Sequence, residues 1–121
     1  MAQNSDSVEF VTSKSLREIE KALQKAYRRA GVESVEQKPG TSSYSVALYG
    51  KPAPLSPFVF EVDVTIWSEN DGTYTVELEA VGDGAGKYFG TALTREYGTY
   101  RELKASKKRR DIILNELKRN L

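Results

Sequence analysis

The sequence predicts an α+β domain: an antiparallel sheet of four to five strands with two main helices packed on one face. Three observations predict it. Two runs that alternate apolar and polar residues, 58–66 and 74–81, flank a polar turn. Apolar residues recur at helical spacing over 15–30. A second apolar helix-like run closes the chain after Ser106. With 121 residues, one domain over 1–121 is expected, long enough to bury a core.

Taken in order, residues 8–12 read as a short strand. Ser15 and Glu18 then match a capping box, and Leu16, Ile19, Leu23, Ala26, Tyr27 and Ala30 form one apolar helix face that Gly31 stops. The outer face of this helix mixes Arg17, Lys21, Lys25, Arg28 and Arg29 with Glu18 and Glu20 and reads as solvated. Residues 32–37 predict a strand, 38–41 a turn, and 44–49 another strand. Pro52, Pro54 and Pro57 mark a surface loop.

The central hairpin organises the rest. Phe58, Phe60, Val62, Val64 and Ile66 share one face, as do Tyr74, Val76, Leu78 and Ala80. A type I turn at Asn70-Asp71, with Gly72 left-handed, sets Val64 against Leu78 and Val62 against Ala80. A slip of one residue would mix the faces. The outer face carries Glu61, Asp63, Glu77 and Glu79, with Asp63 opposite Glu79. Solvation is the favoured reading of that face, a divalent cation or a basic partner the sharper ones. Calcium is not expected, because a flat two-stranded face offers no chelating loop.

After residue 81 the pattern changes. Residues 82–86 form a Gly-rich joint that lacks the Gly-Lys-Ser/Thr of a phosphate loop, so no nucleotide site is expected. Residues 87–105 are ambiguous. Tyr88, Phe89, Leu93, Tyr97, Tyr100 and Leu103 fit a helix loosely, against Gly90 and Gly98. Ser106 reads as the cap of the closing helix, with Ile112, Ile113, Leu114, Leu117 and Leu121 on its apolar face. Lys104, Lys107, Lys108, Arg109 and Arg110 then gather at its beginning, where cations oppose the helix macrodipole. That run is either solvated or a site for an anionic partner.

Composition narrows the function. The chain has no cysteine and no histidine, which removes thiolate chemistry, the commonest general base and the commonest zinc ligand. The carboxylates have no partner that would complete a catalytic constellation, so a non-catalytic domain without cofactor or metal is expected. No apolar run approaches the ~20 residues that span a bilayer. The first residues lack a basic region followed by an apolar one, which fits a cytoplasmic protein. The net charge of +1 hides a polarity: residues 1–86 hold 8 Lys+Arg and 13 Asp+Glu, residues 87–121 hold 10 and 4. The basic end suggests a polyanionic partner or internal neutralisation.

The order of elements, with Ser7-Val-Glu-Phe, Leu16-Arg-Glu-Ile-Glu-Lys-Ala-Leu, Val59-Phe-Glu-Val-Asp-Val, Tyr74-Thr-Val-Glu-Leu and Ile113-Leu-Asn-Glu-Leu-Lys, resembles the kinase-associated-1 domain over most of the chain. That family closes Ser/Thr kinases of the AMP-activated, microtubule-affinity-regulating and septin-associated types. The resemblance implies a module that binds anionic phospholipids, phosphatidylserine especially. It would bring a kinase to the plasma membrane as a cytoplasmic, peripheral protein, or hold the kinase domain inactive. Lys14 matches the family's basic position after the first strand, and Lys107 or Lys108 the one on the closing helix. The last strand departs, since Glu77, Glu79 and Ala80 stand where family members often carry Arg or Lys. This shifts the expected lipid site to Lys104, Lys107, Lys108, Arg109 and Arg110, with Lys14 and Lys87 at its edge and Tyr88 or Phe89 as interfacial anchors. The alternative is an autoinhibitory or protein-interaction domain that uses the acidic face or a groove between the helices. Nucleic acid is not expected, because net charge is low and no groove-reading motif is present.

Overall fold

The computed structural model describes residues 5–56, 59–82 and 92–121, the side chains of the last stretch from residue 103 onward. The elements are β1 (Ser5–Thr12), α1 (Leu16–Ala30), β2 (Ser34–Gln37), β3 (Tyr44–Gly50), β4 (Phe60–Ser68), β5 (Tyr74–Val81) and α2 (Ala92–Asn120). The five strands form one antiparallel sheet in the order β1-β5-β4-β3-β2. The α+β expectation holds, with five strands and two helices among the described residues.

The β4–β5 hairpin has the register that alternation demands: Val64 lies opposite Leu78, Val62 opposite Ala80 and Asp63 opposite Glu79. Its turn closes by the Glu69 N–H donating to Thr73 O at 2.9 Å. The Asp71 carboxylate accepts from the Thr73 N–H at 3.1 Å and its hydroxyl at 2.6 Å. Gly72 takes φ 85°, the left-handed conformation that glycine enters without steric cost. Phe58, the first apolar residue assigned to this hairpin, lies outside the described residues.

α1 starts and stops as its caps direct. The Ser15 hydroxyl accepts from the Glu18 N–H at 3.2 Å and donates to the Glu18 carboxylate at 3.2 Å. Gly31, at φ 73°, donates to Arg28 O, and the Val32 N–H donates to Tyr27 O at 3.0 Å. This is a Schellman closure, and it takes Val32 out of the strand expected over 32–37. β2 therefore begins at Ser34, where the ladder to Tyr49 opens.

Two boundaries move further. β1 begins at Ser5, three residues before the first strand-forming side chain, because Ser5, Asp6 and Ser7 find partners in Val81, Ala80 and Glu79. The closing helix spans Ala92–Asn120 and does not begin at Ser106, so residues 92–105 are helical despite Gly98. The joint at 83–86, with Tyr88 and Phe89, lies outside the described residues.

Both helices contribute to one core with the strand face they cover. Ile19, Leu23 and Ala26 of α1 and Ile113 and Leu117 of α2 join Leu48, Phe60, Val62, Ile66 and Leu78, all fully buried. Each of these side chains larger than Ala26 contributes about 1.5–3 kcal/mol through burial. Within this core the Tyr27 and Tyr44 hydroxyls are 2.9 Å apart and satisfy one another. Burial raises the pKa of both phenols above the ordinary value and keeps the pair neutral.

Candidate functional site

A helix turns 100° per residue, so five cations in a seven-residue window cannot share a face. α2 separates them. Lys104, Lys107 and Lys108, spaced i, i+3, i+4, point to solvent. Arg109 and Arg110 turn inward. The run also sits mid-helix, since α2 begins at Ala92, and its cations do not face the N-terminal end of the macrodipole.

Arg109 holds the end of α1. It donates from Nη1 to Ala30 O at 3.1 Å and from Nη2 to Pro52 O at 2.9 Å, and its guanidinium lies 5.4 Å from the centroid of the Phe60 ring. Ala30 O is one of the carbonyls that a helix terminus leaves without an intrahelical partner. Arg110 is 5% exposed. It donates from Nη1 to Asp6 O at 2.8 Å and to the Asp6 carboxylate at 2.5 Å, and from Nε to Asp111 at 3.0 Å. This arginine pins the edge strand β1 to α2. Both guanidinium groups are thus engaged inside the domain, Arg110 buried and Arg109 partly so.

The Asp6–Arg110 contact sets a pH dependence. The hydrogen bond from Arg110 holds the Asp6 carboxyl below its ordinary value of 3.8, with smaller help from the charges of Arg110 and Lys107 against a burial cost. A depressed acid stabilises the fold above its unfolded-state value and loses that contribution as pH falls through the folded-state value. Wild-type stability in urea is therefore expected to fall below about pH 4, and Asp6→Asn to flatten that fall while lowering stability at pH 7. An unchanged acid limb in the variant would remove Asp6 from the account.

Lys14 is exposed in the link between β1 and α1, where its N–H donates to Thr12 Oγ1. Lys107 lies near Asp6, at the other end of β1. Six strand residues, roughly 20 Å, separate those ends. The structure thus brings Lys104, Lys107 and Lys108 together and leaves Lys14 apart. Lys87 lies outside the described residues.

α1 adds further cations, on the outer face that the sequence reads as solvated. Arg17, Lys21, Lys25, Arg28 and Arg29 are all exposed, and α1 packs beside α2 on the same side of the sheet. Lys118 and Arg119 of α2 are exposed as well. Among the described side chains, the helix layer sets exposed Glu18 and Asp111 and the partly buried Glu20 and Glu116 against these cations. Glu116 sits 3.6 Å from Arg29 and 3.7 Å from Arg119 and bridges the two helices. The spacing of Arg17, Lys21, Lys25 and Arg28, one turn apart each time, was the available signal.

The far side of the sheet has the opposite sign. Register places Glu9, Glu77, Glu79, Asp63, Glu61 and Glu36 on the face away from the helices. The expectation of plain solvation fails for two of them: Glu61 is 2% exposed and Asp63 7%. Asp63 is paired at 2.7 Å with Lys38, which continues β2 by donating its N–H to Ser45 O. The reading of 38–41 as a turn hid that partner.

Among the described residues no group of three or more His, Cys, Asp or Glu is placed to hold a metal ion. No helix among them is long and apolar enough to cross a membrane. No protein-family model matches the chain, and no curated protein matches it.

Proposed function

We propose that this protein is a non-catalytic module that docks on an anionic phospholipid surface through its helix layer. The observation that carries the reading is the segregation of charge by layer. Exposed lysines and arginines of α1 and α2 outnumber the carboxylates on the helix side, and carboxylates predominate on the other. A domain so polarised orients in the field of an anionic leaflet, cations toward the lipid and carboxylates away. Lys104, Lys107 and Lys108 form the α2 part of the contact, and Lys25 and Arg28, toward the α1 end that Arg109 holds, the α1 part. A phosphatidylserine-type lipid, a plasma-membrane address and a parent Ser/Thr kinase are the form this reading takes if the kinase-associated-1 resemblance is one of descent.

Each cation near an anionic leaflet contributes about 1 kcal/mol. The test is co-sedimentation with phosphatidylcholine vesicles, with and without phosphatidylserine, at low and physiological salt. Wild type is expected to bind only the anionic vesicles, and less at higher salt. Lys104→Ala, Lys107→Ala and Lys108→Ala together are expected to weaken binding roughly 100-fold without loss of fold, since three exposed cations remove ~3 kcal/mol. Arg109 and Arg110 are left intact because they hold helix and strand ends. Wild-type protein that ignores anionic vesicles would end this reading.

A further inference from the structure

The sheet face away from the helices is not evenly acidic, and it is exposed chiefly along β1 and β5. Glu9 of β1 lies directly opposite Glu77 of β5, and Glu79, two residues along β5, lies opposite Asp63 of β4. Opposed like charges destabilise a sheet pair, so two such oppositions side by side are a cost the fold carries. Burial, then the charges of Glu79 and Glu9, raise the Glu77 carboxyl above its ordinary value. Lys38 pairs with Asp63 through a single oxygen, Oδ2. The other oxygen, Oδ1, is buried without a hydrogen-bond partner.

The next row across the same face is apolar at both ends. Val11 and Trp67 flank Thr75, and they are 63% and 38% exposed. An acidic triad abutting an exposed valine and tryptophan is a combined surface, and its chemistry selects a complement. Strands lie about 4.8 Å apart, and side chains on one face of a strand recur about every 7 Å. The carboxylates are therefore spread in a flat array that suits several separate cations and not one chelated ion.

We infer that this face is a docking surface for an extended, lysine- or arginine-rich segment of another polypeptide that also presents an apolar side chain to Val11 and Trp67. Charge complementarity argues for this occupant. The segment's cations would meet Glu9, Glu77 and Glu79 at the repeat of an extended chain and relieve the opposed carboxylates. The surface is on the opposite side of the sheet from the helix layer, so this contact and a lipid contact can be made together, and neither depends on the other.

Trp67 is the single tryptophan of the chain, so its fluorescence reports on this face without a label. The experiment titrates the full chain with a decapeptide that alternates lysine with valine and serine, and with the same peptide carrying glutamate for lysine. The lysine peptide is expected to give a saturable blue shift that weakens at least tenfold from 50 to 300 mM salt (order of magnitude, from screening). The glutamate peptide is expected to give none. Glu9→Gln, Glu77→Gln and Glu79→Gln together should weaken binding at least tenfold (the same order of magnitude for lost charge pairs) while leaving thermal stability equal or higher, since opposed charges are removed. Val11→Ser should weaken binding with the carboxylates intact, and Glu77→Gln alone serves if the triple variant does not fold. No shift with the lysine peptide, an equal shift with the glutamate peptide, or full binding by the carboxylate variants would overturn the inference. So would a blue shift that grows with protein concentration in the absence of peptide, which would assign the face to a second copy of this chain.

Discussion

Gly50→Ala is expected to cost about 3 kcal/mol, the upper end of what overpacking costs in a core. Gly50 closes β3 opposite Phe60. A Cβ there would stand 2.6 Å from Gly31 O and 2.7 Å from two carbons of the Phe60 ring. Neither neighbour can yield cheaply. Gly31 O belongs to the backbone of the α1 closure, one residue from the Val32 N–H that completes it. The Phe60 ring is fully buried and has Arg109 over it. Displacing the ring disturbs the guanidinium that caps Ala30 O and reaches Pro52 O, so one methyl group loosens the junction of α1, β3 and α2. Urea denaturation at pH 7 measures the loss. Gly72→Ala is the control: at φ 85° with nothing within 4 Å it pays only for the left-handed backbone, about 1–2 kcal/mol. Equal losses for the two variants would mean that the approach of Gly31 O to Gly50 is not a close one in solution.

The two glycines also show what a sequence can and cannot say. Gly72 is legible, because a glycine after Asn-Asp between alternating runs has a local reason. Gly50 is not, since its reason is the backbone of a residue nineteen positions away. The same division runs through the fold. α1 and the β4–β5 hairpin are readable because their signals are local: a capping box, a terminal glycine, a period of 3.6 or of two. The early start of β1 rests on pairing with β5, and residues 92–105 lack a continuous apolar stripe, so neither has a local signal. In the candidate site the lysines were legible as cations but not their company. Arg109 and Arg110 differ from Lys107 and Lys108 in direction, and direction follows from where α2 lies against the sheet. The 100° step was enough to say that the run must split; only the tertiary packing says that the arginines go inward.

Ser106→Ala is expected to cost about 2–3 kcal/mol, although it replaces a middling helix former with the best one. Ser106 is fully buried inside α2. Its hydroxyl accepts from the Glu61 N–H at 2.9 Å and donates to Val81 O at 2.8 Å. Glu61 and Val81 are directly opposed on β4 and β5, so the hydroxyl relays between the two strands at that end of the hairpin. Alanine leaves a buried N–H without its acceptor, at about 1–3 kcal/mol, and takes a donor from the carbonyl. The gain in helix propensity, at most about 0.7 kcal/mol, does not offset this. The loss is expected to be local before it is global. Amide exchange at Glu61 should accelerate beyond the change in overall stability, and Ser106→Cys, which keeps a weak donor and acceptor, should fall between wild type and alanine. If Glu61 exchange instead tracks global unfolding unchanged, β4 and β5 have closed on each other without the relay. In that case the hydroxyl positions α2 on the hairpin and does not hold the hairpin together.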